Sequence, residues 1–344
     1  MRKTAESVTA GHPDKICDQI ADALVDECLR RDPNTRAHFR VLGSHGMLVI
    51  GGELSSAADF DMAAVARAVY AEIGYADEIE VFVNIDRPTE QVEQNSTVVV
   101  NGYATRETRE WLPRPLVFAH ALTRRIDHLR KMDGNFTWLR PEAVAQVSTD
   151  KESIRAITIL ASHTSAIETR DVKLAVLDRV IVPVIGSIEG VQVHINAGGN
   201  LWRAGLTDGA GMSGQKLQMD SYGGLVPFSE QALSGKDPLK PERAGAYAAR
   251  AAAKYLVEQG MVSSAVVTLV YTSGRAEPIS MEAIGVAEKT RGARLNLSEL
   301  IQTKFDFRPE AIADRFQLRR PLYRDTAAYG HFGRPEFPWE QTLI

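Results

Sequence analysis

Helical and strand-like periodicities alternate along the whole 344-residue chain, in three rounds of roughly 100 residues, with no linker or low-complexity run between them. This pattern restricts the fold because each apolar stripe must be buried against a neighbouring element, and nothing separates one round from the next. In the first round Ile16, Ile20, Leu24 and Cys28 recur every four residues behind Gly11-His-Pro13, which predicts a helix with Pro13 at its first position. Met47–Gly52 reads as a buried strand, 61–75 as a helix, and 80–84 and 97–101 as strands. The second round predicts a helix over 115–131, strands over 145–148 and 154–161, a helix over 171–184 and a strand over 191–196. The third has a Gly-rich stretch at 198–224, a helix over 241–259, strands over 265–271 and 279–287, and short helices over 298–304 and 309–316. Three packed lobes sharing one α+β body follow. The aromatic, Gly-rich run Thr326–Arg334 has the composition of a segment that docks onto the body or onto another subunit.

Composition narrows the function. A formal net charge of −4 argues against nucleic acid or an acidic membrane surface as partner. No apolar run approaches the roughly 20 residues of a membrane span, and Met1–Ser7 has no apolar core of the signal-peptide kind. Cys17 and Cys28, the only cysteines, fall on one helical pattern, so neither a disulfide framework nor a zinc site is available and a cytoplasmic location is expected.

Positive charge is written mostly as arginine. Of 40 basic residues only 11 are lysine, yet Lys216, Lys236 and Lys240 fall within 25 residues, the last two in Ser234-Gly-Lys-Asp-Pro-Leu-Lys-Pro-Glu-Arg243. A compact, flexible ammonium follows phosphate oxygens as a point charge, and small neighbours let backbone approach a ligand. The same lysines would serve equally as a solvated loop face. Gly11-His12-Pro13-Asp14-Lys15 opens a helix with an imidazole, a carboxylate and an ammonium, which makes either an anion site that can share a hard cation or an ordinary helix cap. Taken singly, Lys151 reads as a turn lysine and Glu53 as a strand-end acid. The histidines at 38, 45, 120, 128, 163, 194 and 331 lack metal-ligand spacing and are read as structural. No nucleophile–base pair, Walker loop or dinucleotide fingerprint occurs. Lysines with acids for Mg²⁺ and no general base suit displacement of a polyphosphate by a nucleophile that needs no deprotonation.

Read together, several segments resemble the S-adenosylmethionine synthetase family of the bacterial and eukaryotic type. They are Glu6–Gln19, Val49–Glu53, Gly102–Thr105, Asp220–Gly224, Ser234–Pro238 with Lys240, Ala246–Arg250 and Thr326–Arg334, in family order from end to end. The resemblance implies three pseudo-repeated, intertwined α/β lobes, at about 1–90, 97–203 and 204–334, with a docked tail at 335–344. It implies a homodimer or dimer of dimers with active sites at the interface. The implied reaction is attack of the methionine sulfur on C5′ of ATP, with triphosphate released and then hydrolysed to pyrophosphate and phosphate. Two Mg²⁺ ions per site are expected, usually with K⁺ as activator.

By the same match His12 and Lys151 are catalytic, His12 on ribose and polyphosphate oxygens and Lys151 at the bridging oxygen near C5′. Lys15, Asp150, Asp208, Lys216, Ala232, Lys236 and Lys240 would bind ATP or its polyphosphate. Glu53, Asp208 and Lys240 would face the methionine, and Asp14 and Glu242 the Mg²⁺ ions. The departures fall mainly on the methionine side. The segment between Ile85 and Gly102 is about a dozen residues short, so the family's gate and its Gly-Asp-Gln-Gly motif are missing. Ser96 stands near that motif's aspartate, and Gln91 and Gln94 are candidates for the gate's glutamine. Arg40 occupies the position of the K⁺ ligand, so a fixed guanidinium replaces the ion in this reading. Gln215 replaces an arginine linked to triphosphate handling, Asn200-Leu201 an Arg-Phe pair, and Ser273 an apolar residue. Three readings stand at this point: adenosyl transfer to methionine, the same chemistry on another sulfur nucleophile, and a non-catalytic nucleotide-binding paralogue.

Overall fold

A computed structural model describes residues 2–88, 97–286 and 296–342. Its strands are β1 (Arg2–Val8), β2 (Arg36–Ser44), β3 (Met47–Ser55), β4 (Glu80–Asp86), β5 (Val98–Thr105), β6 (Leu139–Asp150), β7 (Ser153–His163), β8 (Gln192–Ile195), β9 (Ala210–Met212), β10 (Ser264–Tyr271) and β11 (Ser280–Val286). They form sheets ordered β1-β6-β7-β8, β4-β3-β2-β9 and β11-β10-β5. Each sheet takes strands from distant parts of the chain. β1 runs antiparallel to β6, with Arg2 opposite Asp150 and Val8 opposite Val144. β9 closes onto β2, and β5 onto β10. The three rounds are interlaced strand by strand, which explains why no linker separates them. The architecture is α+β.

Helix α1 (Pro13–Arg31) begins where the spacing predicts, with His12 as N-cap and Pro13 in the first turn. Ile16, Ile20, Leu24 and Cys28 are fully buried, but so is most of the opposite face, including Lys15, Asp18, Asp22 and Asp26. α1 is therefore a central helix and not an amphipathic surface one. α2 (Met62–Ile73) packs beside it, and α3 (Arg114–Met132) lies over β1 and β6. The helix Pro241–Glu258 is rich in alanine, which lets a strand cross it closely: a Cβ on Gly102 of β5 would lie 1.9 Å from the Ala249 carbonyl carbon.

Other elements depart from the sequence pattern. β1 and β2 carry too many polar residues to stand out, and β6 is longer than its apolar segment. The helix expected over 171–184 is broken into Thr169–Val176, a π-helical turn at Leu177–Ile181 and a last turn at Val182–Ile185. Pro183 has no N–H to donate and its ring crowds the carbonyl four residues earlier, so the wider turn accommodates it.

The tail docks on the body. Glu340 receives Arg250 Nε at 2.7 Å and Nη2 at 2.9 Å, and Trp339 stacks on Tyr247 with ring centroids 3.6 Å apart. Among the described residues no helix is long and apolar enough to cross a membrane.

Candidate active site

Aspartates recur every four residues along one face of α1, and each takes backbone N–H groups from a loop. Asp14 Oδ1 accepts from Met212 N at 3.0 Å, Asp18 Oδ1 from Gly214 N at 2.7 Å and Asp22 Oδ1 from Gly235 N at 2.8 Å. Asp26 accepts from Leu322, Tyr323 and Arg324 N, each at 2.9 Å. The loops bearing Lys216 and Lys236 are thus hung on adjacent turns of one helix, about 6 Å apart along its axis. Glycine is required at both. A Cβ on Gly211 would lie 2.2 Å from the Pro13 carbonyl carbon. Gly235, at φ +84°, leaves no room for a Cβ beside the Phe39 carbonyl, whose own N–H donates to Gly235 O at 2.7 Å. The period-four aspartates were visible in the sequence beside the apolar stripe; reading only the apolar positions missed them.

At the N-terminus of α1, His12 Nδ1 accepts from Asp14 N at 3.2 Å, so a neutral ring carries its proton on Nε2 and can donate outward. Burial, then the charges of Lys216 and Lys15, push the His12 pKa down to about 3, with Asp18 opposing. The ring is therefore neutral near pH 7. Lys216 Nζ stands 3.8 Å from Asp14 Oδ2 and 3.9 Å from Glu6 Oε1. Lys15, expected on polyphosphate, instead faces inward. It is fully buried, 2.8 Å from Asp18 Oδ2 and also bonded to Asp220. Burial works against its ammonium, but these two carboxylates outweigh that and raise its pKa well above the usual lysine range. Ala232 lies against Gly214, where an added Cβ would come within 2.5 Å of its methyl carbon.

A second group lies across β2 and β3. His38 stands opposite Glu53 in the antiparallel register. Both line a small cleft with Arg36, Ser55, Pro88 and Lys240. Beneath it Lys236 is buried, 2.7 Å from Glu242 Oε1 and 3.4 Å from Gln231 Oε1, and burial lowers its pKa against the opposing charge of Glu242. Arg40 is exposed on β2, on the same face as His38.

The remaining expected residues are not in contact with these. Asp150 and Lys151 form the tip of the β6–β7 hairpin, opposite Arg2, with Lys151 exposed at φ +55°. That tip lies roughly 14 Å along β1 from Glu6. Asp208 accepts from Ala204 N at 3.0 Å and Arg140 Nη1 at 3.2 Å, bonds that hold its carboxyl below the usual range. Sequence reasoning also missed Glu142, which accepts from Gly205 N at 2.9 Å and whose pKa burial raises. Gln91, Gln94 and Ser96 lie outside the described residues.

Among the described residues no three His, Cys, Asp or Glu side chains cluster as a metal cage. Oxygen donors suit a hard cation, but one carboxylate at a time leaves most ligands to phosphate and water. Asp14, with Oδ2 facing Lys216 at 3.8 Å, fits such an ion. Glu242 is buried with Lys236 on Oε1, so an ion there would share this carboxylate with that ammonium.

Comparison with known proteins identifies the family. The N-terminal, central and C-terminal domain models of S-adenosylmethionine synthetase match residues 1–99, 92–201 and 204–341. The chain is 36% identical to the S-adenosylmethionine synthase of Deinococcus radiodurans and 37% identical to that of Sulfurovum sp., in each case over 98% of this chain and 95% of the relative. That of Nitratiruptor sp. is 36% identical with the same coverage. The chain belongs to the S-adenosylmethionine synthetase family.

Proposed function

We propose that the protein forms S-adenosylmethionine from ATP and L-methionine. The observation that carries this is the pair of lysine loops fixed on one face of α1 beside a neutral His12, next to a charged cleft that suits an amino acid. In the proposed step a sulfur lone pair forms the S–C5′ bond while the C5′–O bond breaks, and its electron pair leaves with triphosphate. No proton moves, so no general base is needed. Negative charge builds on the leaving oxygens, where Lys216 and the His12 Nε2–H can stabilise it, joined by Lys236 once that ammonium turns from Glu242. Lys151 reaches the bridging oxygen from the hairpin tip. Glu53 takes the methionine ammonium, and Lys240 lies between the two substrates. Mg²⁺, when bound, screens the polyphosphate charge; Asp14 would hold it, and Glu242 would contribute once Lys236 turns to the phosphates. Arg40 supplies fixed positive charge in place of K⁺.

A homodimer, alone or paired into a tetramer, completes this reading. The open face of the β4-β3-β2-β9 sheet is apolar at one end, where Leu42, Met47, Val49, Phe82 and Met212 are all exposed, and it carries the Glu53 cleft at the other. A second copy covering the apolar end would close over the cleft. The lobe boundaries at about 1–90, 97–203 and 204–334 belong to the same proposal.

The test is incubation with ATP, Mg²⁺ and methionine, ethionine or homocysteine, with adenosylated product and phosphates followed by mass spectrometry. Product with methionine is expected. Product only with another sulfur compound would replace methionine as substrate, and ATP binding without turnover would leave a non-catalytic paralogue.

A further inference from the structure

The cleft on β2 and β3 has an unusual wall. Glu53 supplies one carboxylate, and Lys240 and Arg36 supply two cations, a set complementary to a zwitterion. The remaining ionisable group is His38. Directly opposed residues on one face of an antiparallel pair have Cβ atoms about 5 Å apart, so the imidazole and the Glu53 carboxylate flank the same small volume. His38 is half-buried, and on its other edge its strand meets the 235–237 segment at an isolated antiparallel bridge between His38 and Lys236, flanked by Phe39 N to Gly235 O at 2.7 Å and Asp237 N to Ala37 O at 3.0 Å.

We propose that His38 is a specificity-determining residue that accepts a hydrogen bond from the α-ammonium group of the amino-acid substrate, alongside Glu53. This rests on the reading of the cleft as the methionine site. Glu53 alone supplies charge but only one direction of approach. An imidazole across the strand gives the ammonium a second acceptor and fixes which way the amino-acid end points, with the carboxylate toward Lys240 and Arg36. The ring must be neutral to accept. Burial first, then Lys236, Arg40 and Lys240 push its pKa down to about 4, with Glu242 opposing, so it carries no charge near pH 7. A protonated ring there would repel the ammonium; burial, and then the surrounding cations, disfavour that state.

The experiment uses the full-length enzyme at saturating ATP. Methionine is compared with its α-hydroxy analogue, which has a hydroxyl in place of the ammonium, in the wild type and in His38→Ala, His38→Gln and Glu53→Gln. Hydrogen bonds to charged groups are worth roughly ten- to hundredfold in binding. His38→Ala is expected to raise the methionine KM by about tenfold or more and to leave the ATP KM within about twofold. It should also narrow the discrimination between methionine and the hydroxy analogue. His38→Gln, which keeps an acceptor, should recover part of the loss, a pattern that a merely structural role for the ring would not produce. An unchanged methionine KM in His38→Ala, or an equal rise for both compounds, overturns the proposal. If Glu53→Gln raises the methionine KM and His38→Ala does not, His38 alone is excluded. If neither variant changes it, the cleft is not the amino-acid site and the underlying reading fails. Should His38→Ala fold poorly, His38→Gln and the analogue ratio still decide.

Discussion

The two halves of the proposed site sit on either side of β2 and are held in different ways. On the α1 side, charges are buried and tied to one another and to backbone. Asp22, fully buried, accepts from Gly235 N, and Arg243 Nη2 donates to both of its oxygens, at 2.7 and 2.9 Å, while that guanidinium lies 4.4 Å over the Tyr323 ring. On the open sheet face, Glu53 is exposed and has no ion-pair partner among the described residues, and Lys240 is half-buried at the start of its helix. The difference separates two demands. A polyphosphate always presents the same oxygens, so its lysines can be set rigidly by the core. The cleft proposed for the amino acid is built on a solvent-facing strand pair, where side chains can be exchanged without disturbing what folds the chain.

The contrast makes distinct demands on stability and on substrate binding. The largest effect should come from Lys15→Met, which leaves the Asp18 and Asp220 carboxylates buried without their cation. Breaking a buried pair costs about 3–5 kcal/mol, to be read as a fall in the urea midpoint. A midpoint shift no larger than that of a surface lysine would remove the argument that α1 organises the site. Glu53→Gln should do the opposite. It should leave stability within about 0.5 kcal/mol and raise the methionine KM by about tenfold.

Acid should weaken the α1 side by way of its histidines. His12 and the buried His120, which bonds Ser7 Oγ at 2.8 Å, have pKa values lowered to about 3, for both of which burial is the largest cause. Between pH 6.5 and 3 the unfolded chain binds more protons at these rings than the folded one, so their contribution to stability falls as pH falls. Asp22 acts in the opposite sense. Burial raises its pKa to about 6 despite Arg243, so the folded state binds the extra proton between pH 4 and 6 and gains stability as pH falls. Over urea unfolding from pH 7 to 4, His120→Gln should remove its share of the histidine contribution, so the variant should lose less stability, or gain more, than the wild type. A curve unaffected by that variant would contradict the assignment. The smallest effect concerns Arg40. Replacing KCl by a bulky monovalent salt should leave the rate nearly unchanged, and a strong K⁺ requirement would show that the guanidinium does not substitute for the ion.

Much of this was legible in the residues. The apolar stripe of α1, the strand pairs 145–161 and 265–286 and the lysine loops all announce themselves through periodicity or composition. What was hidden depends on contacts distant in sequence. β1 and β2 are polar strands whose buried sides are set by partners more than 100 residues away, Val144–Asp150 for β1 and Ala210–Met212 for β2. Asp18 and Asp22 look like solvated helix positions until the 209–216 and 233–240 loops cover them. His38 lacks metal-ligand spacing, yet register alone sets it opposite Glu53. Lys15 shows the reverse case, since its motif points to phosphate while its packing turns it toward Asp18 and Asp220.

The central claim is that a core-built polyphosphate cradle and a surface-built amino-acid cleft act as separable halves of one site. A double-mutant cycle on kcat/KM with Lys216→Met and Glu53→Gln, ATP and methionine varied in turn, tests it most directly. Lys216→Met should raise the ATP KM, Glu53→Gln should raise the methionine KM, and the two effects should add within about 0.5 kcal/mol. Coupling well beyond that, or an ATP KM that follows Glu53, would contradict it.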